Sequence, residues 1–295
     1  MGIWRGVIGD WSMSIWGICF AVTLIISIVE LCDLPSCFPF YWYTFPVTYA
    51  CYAALICLSA SIIYSIAYVQ FLPYGPYRDR AIAATAFSCS ASVFYALDVA
   101  FTWNWYDLDD TICYVHTVPG LLKVLETLVA GVIFAFLSSP SLYLHPVEHH
   151  TALVWCVAVY CICFILGAVV LLLKLREREY RLCILYPIFQ LVLTLFSTLL
   201  YISTVVLWPL YQFNEEFGGQ SRRASVVSCS DELAYDMCLW DRLLAVAILT
   251  AINLLMYMVD LVYWARQGSI GTEDVSSAPD AVLSHLLFSQ SEDAL

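Results

Sequence analysis

Seven blocks of apolar residues run along the chain, separated by short polar breaks. Each is long enough to cross a bilayer, which takes about 20 mostly apolar residues. They lie near Trp11–Leu31, Pro46–Val69, Ala81–Trp103, Pro119–Leu137, Leu153–Leu173, Leu182–Leu207 and Leu243–Trp264. Hydrocarbon offers no partner to a backbone amide, so each spanning segment must bond within itself and is read as a helix. Tyr and Trp gather at the block ends (Trp11, Tyr41, Trp42, Tyr43, Trp103, Trp105, Tyr106, Trp208, Tyr211, Trp264), as interfacial anchors should. The pattern predicts an all-α membrane protein with seven transmembrane helices.

Composition sharpens this reading. Hydrophobic residues make up 62% of the 295 and charged residues only 12%, against about 25% charged in an average soluble domain. The net charge of −12 argues against nucleic acid, which asks for a basic stripe. Only Arg5 precedes the first apolar block, and no small-residue cleavage site follows a short apolar core, so that block reads as a retained span. The start Met1-Gly-Ile-Trp-Arg-Gly6 lacks the Ser or Thr that N-myristoylation needs. Asn-x-Ser/Thr is absent, so N-glycosylation is not expected.

Orientation rests on two features. The densest basic run, Lys174 to Arg181 with Arg176 and Arg178, fills a short loop, where the positive-inside rule has most force. The long loop 208–241 holds Cys229 and Cys238, separated by eight residues, and a disulfide between them requires an oxidising exterior. The short basic loop and the C-terminus are therefore expected in the cytosol, and the N-terminus outside.

The blocks also repeat. The third contains Tyr95-Ala-Leu-Asp98 and runs to Trp103; the seventh contains Tyr257-Met-Val-Asp260 and runs to Trp264. The second opens with Phe45-Pro46, the sixth near Tyr186-Pro187; Trp16 and Trp155 lie near the starts of the first and fifth. Blocks one to three thus match blocks five to seven in order and direction, and the fourth has no counterpart. Two four-helix units in tandem are expected, the first without its opening helix.

Several runs carry a resemblance: Phe20-Ala-Val-Thr-Leu-Ile-Ile with Val29-Glu-Leu-Cys32, Ala50-Cys-Tyr-Ala-Ala-Leu, Val118-Pro-Gly-Leu-Leu-Lys-Val-Leu-Glu126, Trp208-Pro-Leu-Tyr-Gln-Phe213 and Ala245-Val-Ala-Ile-Leu-Thr-Ala-Ile-Asn253. With these the chain resembles the myeloid-associated differentiation marker family over nearly all of residues 10–264. Members resemble two MARVEL domains in tandem, each a four-helix membrane bundle. The resemblance implies an incomplete three-helix MARVEL unit in 1–110, a complete four-helix unit in 118–264, and a parent of eight helices with both termini cytosolic. It also implies ordered, cholesterol-rich plasma-membrane domains, membrane traffic, cell spreading and junctional barriers. The chain departs from the family in its absent first helix and in a longer, more acidic tail, 265–295, which is polar and serine-containing and reads as disordered.

Candidate chemistry is sparse. Glu30, Asp98, Lys123, Glu126 and Asp260 lie in or at the ends of spans, all toward the same membrane face. Charges at such depth usually face other helices or water. Lys123 and Glu126 are three apart and can meet on one helix face. A belt that pins bundle geometry is the favoured reading. A transporter or channel using these residues is the alternative, although no charged residue continues toward the outer face. A third reading is adhesion through loop 208–241. Ala84, Ser88, Ser92 and Ala96 form a small-residue row, either a packing seam or an oligomer contact. Cys32, Cys37, Cys113 and Cys183 sit beside spans on the cytosolic side, where palmitoylation is a candidate. Val69 to Arg78 through Tyr74 fits the loose cholesterol pattern. His145-Pro-Val-Glu-His149-His150 matches a metalloprotease pattern, but it falls in a loop interrupted by Pro146, with no third ligand in view. No cofactor, metal or enzymatic activity is expected. Membrane lipids, cholesterol among them, and other membrane proteins or further copies are the expected partners.

Overall fold

The computed structural model describes residues 7–32, 42, 45–106, 117–138, 150–176, 185–217, 219 and 238–292. The helices are α1 (Val7–Leu31), α2 (Phe45–Ala67), α3 (Pro76–Tyr106), α4 (Val118–Leu137), α5 (His150–Arg176), α6 (Leu185–Phe213) and α7 (Leu239–Glu292). Two 3-10 turns, Val69–Phe71 and Glu215–Phe217, follow α2 and α6. All seven helices hold a stretch long and apolar enough to cross a membrane, one for each block read from the sequence.

The boundaries have local causes. α4 begins where Thr117 accepts a hydrogen bond from the Gly120 amide and Pro119 occupies the first turn, where a missing N–H costs nothing. α3 starts at Pro76, earlier than the hydropathy block, with Asp79 in its first turn where the helix dipole favours an acid. α6 runs past the expected Leu207 to Phe213 and contains Pro209. The reason lies in Trp208: its indole Nε1 donates to the Leu243 carbonyl at 3.1 Å, holding the last turns of α6 against α7. Trp208 and Trp264, both expected as interfacial anchors, are buried inside the protein. The tail beyond Trp264, expected as disordered, instead continues α7 to Glu292. Its stretch Ala281-Val-Leu-Ser-His-Leu-Leu-Phe288 repeats apolar residues at a spacing a helix can use.

Helices α4 to α7 close a ring. α4 packs on α5 and α7, and α6 packs on the same two from the other side. Helices α1 to α3 form a row with α2 in the middle. The row leans on α4 through α1 and α2. Ile8, Ile63 and Ala67 from the row enter the same buried cluster as Ile133, Val159, Tyr160, Trp208 and Val246 of the ring.

Small residues set the closeness of the row. Ala50, Ala53, Ala54, Cys57, Ala60 and Ser61 are buried along α2. Ser88 and Ser92 of α3 reach across and donate to the Cys57 and Ala54 carbonyls at 3.0 and 2.7 Å. Such contacts need backbones in close approach, which small side chains permit. Of the expected seam, Ser88 and Ser92 are buried at this contact, Ala84 is half-buried and Ala96 is exposed.

α5 approaches α4 closely at Gly167. A Cβ there would lie 2.6 Å from the Thr127 methyl of α4. That methyl cannot swing aside, because the Thr127 hydroxyl donates to the Lys123 and Val124 carbonyls at 3.0 and 2.9 Å and fixes the rotamer. Gly167→Ala is expected to destabilise the purified protein by about 1–3 kcal/mol through overpacking. Adding Thr127→Ser, which keeps the hydroxyl and removes the methyl, should recover most of the loss. Thermal unfolding in detergent measures both.

Candidate functional site: a buried charge cluster

Polar residues recur along one stripe of α7. Leu243, Val246, Thr250, Asn253, Tyr257, Asp260 and Trp264 follow at alternating steps of three and four, and all are buried. This is the spacing that keeps one helix face toward its neighbours. α6 answers with Gln190, Thr194, Ser197, Tyr201, Thr204 and Trp208, again buried and in the same rhythm. The ring interior therefore carries hydroxyls, amides and aromatic rings among its buried apolar side chains.

These groups pair across helices in layers. Near the start of α7 the Trp208 indole is bound to the Leu243 carbonyl. One layer further, Tyr160 of α5 and Thr250 share a hydrogen bond of 2.8 Å. Next, Asn253 donates to the Tyr201 hydroxyl at 2.6 Å. Rings link the layers: Tyr160 lies 6.4 Å from Trp208 and 6.0 Å from Tyr201, and Tyr201 lies 5.0 Å from Tyr257.

The last layer holds the charges. Lys123 of α4 donates to Glu126 Oε2 at 2.7 Å and to Asp260 Oδ2 at 3.1 Å. Thr194 of α6 donates to the same Asp260 oxygen at 3.1 Å. The ammonium also lies 5.2 Å from the centroid of the Tyr257 ring, within cation–π range. Lys123 is 1% exposed, and Glu126 and Asp260 are fully enclosed. One cation thus serves two acids and ties α4 to α7, while Thr194 brings in α6. Such a pairing stabilises mainly against its own disruption. Taking the ions out of water offsets most of the attraction between them, whereas deleting one partner strands the others in the low-dielectric interior. The outer oxygens Glu126 Oε1 and Asp260 Oδ1 accept no hydrogen bond among the described residues, and neither do the amide atoms of buried Gln190.

The five charges expected as one belt divide. Lys123, Glu126 and Asp260 come together, whereas Glu30 and Asp98 are exposed on α1 and α3 and join no ion pair among the described residues. Cys32 is exposed with a free thiol. Cys37, Cys113 and Cys183 lie outside the described residues, as does His145 to His149. Cys238 is disulfide-bonded; Cys229 lies outside the described residues. Among the described residues there is no cluster of three or more His, Cys, Asp or Glu able to hold a metal ion.

Thr194, Tyr201, Thr250 and Asn253 were not singled out from the sequence. The signal that finds them is the three–four spacing of polar side chains inside otherwise apolar spans.

Comparison with known proteins places this ring. The model of the MARVEL membrane-associating domain matches residues 114–263, which spans α4 to the described transmembrane part of α7. The chain is 59% identical over 266 residues to the human myeloid-associated differentiation marker, covering 90% of this chain and 81% of that protein. It is 42% identical to a Xenopus laevis homolog of that marker, over 90% of this chain and 85% of the relative. To the mouse myeloid-associated differentiation marker-like protein 2 it is 34% identical, over 90% and 84%. No solved structure matches.

Replacing Lys123 by Met should leave Glu126 and Asp260 buried without a countercharge, at a cost of about 3–5 kcal/mol. The triple variant Lys123→Met, Glu126→Gln, Asp260→Asn should regain most of that stability. Unfolding in detergent and the amount reaching the cell surface are the two readouts. A Lys123→Met protein as stable as its parent would remove the cluster as the lock of the ring.

Proposed function

This chain belongs to the myeloid-associated differentiation marker family, and from that premise we propose that it organises ordered, cholesterol-rich domains of the plasma membrane. In this reading it is a non-enzymatic multi-pass scaffold with a cytosolic C-terminus. It supports membrane traffic, cell spreading or junctional barriers through helix packing and lipid contact.

The observation that carries the reading is the length and facing of the spans. The membrane-crossing stretches are 24 residues long in α1 and α5, 27 in α3 and in α2 taken with the 3-10 turn after it, 26 in α6 and 29 in α7, with the 20 of α4 the shortest among the described residues. At 1.5 Å per residue 24 residues reach about 36 Å, more than the roughly 32–33 Å hydrocarbon thickness of a sterol-rich plasma membrane, whereas the 20 residues of α4 reach about 30 Å, still beyond the roughly 27 Å of the endoplasmic reticulum. Long spans are accommodated with least mismatch in the thicker, ordered bilayer. The faces presented to lipid support the same reading, with Phe20, Phe87, Val192, Leu199 and Val206 exposed along them. The ionic groups of the ring are turned inward and spent on one another, which favours a structural role for them over a conduction path.

Cysteine acylation is the second element of the proposal. Cys32, exposed at the end of α1, and Cys37, Cys113 and Cys183 are its candidate sites. A saturated acyl chain beside a span would add to the preference for ordered lipid.

Phase partitioning in plasma-membrane vesicles tests both parts. The parent protein is expected in the ordered phase. A variant with Ser at Cys32, Cys37, Cys113 and Cys183 should shift to the disordered phase if acylation is the lever, and stay if the spans alone carry the preference. A parent protein found in the disordered phase would remove the physical basis of the proposal.

A further inference from the structure

The row carries two thiols that face one another between α1 and α2. Cys19 and Cys57 stand at the middle of their helices. Their sulfurs lie 3.9 Å apart. Both are free thiols, and both are buried, in one cluster with Ile15, Ala53 and Ala60. Close approach of the helices does not by itself ask for sulfur, since alanine serves that purpose at Ala53 and Ala60 in the same cluster.

Both backbones are pinned. The Cys19 carbonyl accepts hydrogen bonds from the Thr23 and Tyr49 hydroxyls, each at 2.7 Å. The Cys57 carbonyl accepts from Ser61 at 2.7 Å and from Ser88 at 3.0 Å. Side chains of all three helices of the row thus hold the two residues opposite each other. A disulfide brings its sulfurs to about 2.05 Å. Closing this pair takes about 2 Å of travel, which rotation about the two Cα–Cβ bonds can share.

We propose that Cys19 and Cys57 form a modification site, oxidised to a disulfide by a hydroperoxide dissolved in the bilayer, the class to which peroxidised lipids belong. Two thiols and one hydroperoxide give a disulfide, an alcohol and water. The S–S bond forms, the O–O bond breaks, two electrons pass from sulfur to oxygen, and both thiol hydrogens leave on the oxygens. The mid-span position selects this oxidant. Oxidised glutathione is charged, and charge is costly to bring to the centre of a bilayer. The same barrier protects the product, because reductants attack a disulfide as thiolates. The bond therefore outlasts the oxidant and ties α1 to α2 while the chain stays folded. Oxidation of the surrounding lipid is recorded as a covalent link inside the row.

The test uses the full chain in liposomes treated with cumene hydroperoxide. The protein is then unfolded, its remaining thiols are alkylated, and its peptides are read by mass spectrometry without reduction. A peptide joining α1 to α2 through Cys19 and Cys57 is expected, lighter by two hydrogens than its parts. Oxidised glutathione at the same concentration should not produce it. Cys19→Ser and Cys57→Ser should each abolish it, while Cys89→Ser on α3 leaves its yield unchanged. Reduced glutathione should cleave the link only after the protein is unfolded. The linked peptide is read in the parent chain, so a variant that fails to fold does not decide the outcome. Three results would overturn the proposal: both thiols alkylated in full after the hydroperoxide, sulfinic or sulfonic acid at either position in place of the link, or a link that oxidised glutathione forms equally well.

Discussion

One ammonium held between two carboxylates inside an apolar ring is the constraint around which the second half of the molecule is arranged. Lys123 can be enclosed only if Glu126 and Asp260 arrive with it. That fixes the rotation of α4 and α7 about their axes and the depth at which they cross. Once α7 is fixed, its stripe of Thr250, Asn253 and Tyr257 faces Tyr160 and Tyr201, so the polar layers above fall into register. In a membrane the apolar faces of helices have little preference among neighbours, because lipid is as apolar as leucine. Polar pairs then carry the selection of partner and register that burial carries in water.

Much of this was legible in the sequence. Seven apolar blocks gave seven spans because the backbone has no alternative in hydrocarbon. Depth was legible in part: of the five charges expected toward one face, Lys123, Glu126 and Asp260 meet in one layer. What depth cannot tell is direction around a helix, and that is where the belt divided into an enclosed triad and two exposed acids. Hydropathy also hides a Thr or Tyr inside a long apolar block, so the interior stripe of α7 was passed over although its spacing was in plain view. Trp208 and Trp264 misled for a related reason. An indole near a span end can sit at the interface or point into the bundle, and here both rings turn inward. The helix beyond Trp264 was lost to composition, since acidic and serine-rich character outweighed the apolar spacing of Ala281 to Phe288.

The contrast between the two halves has physical content. The ring uses charges, amides and aromatic hydroxyls in its interior. The row uses alanine, serine and cysteine where α2 meets α3, with hydroxyl-to-carbonyl bonds at Ser88 and Ser92, and a smaller, uncharged network of Trp16, Thr23, Tyr49 and Tyr95 where α1 joins them. The first mode fixes a specific partner; the second permits close approach between helices whose faces are nearly smooth.

α4 has a double employment that bears on how the protein loses its structure. It closes the ring through α5 and α7, and the row leans on it through α1 and α2. Ile8 and Ile63 sit in the same buried cluster as Ile133 and Trp208. A boundary drawn in the chain between the two units thus has no matching boundary in the packing. Melting α4 would expose both halves at once, and a cut in the connection before α4 would leave the row without the wall it rests on.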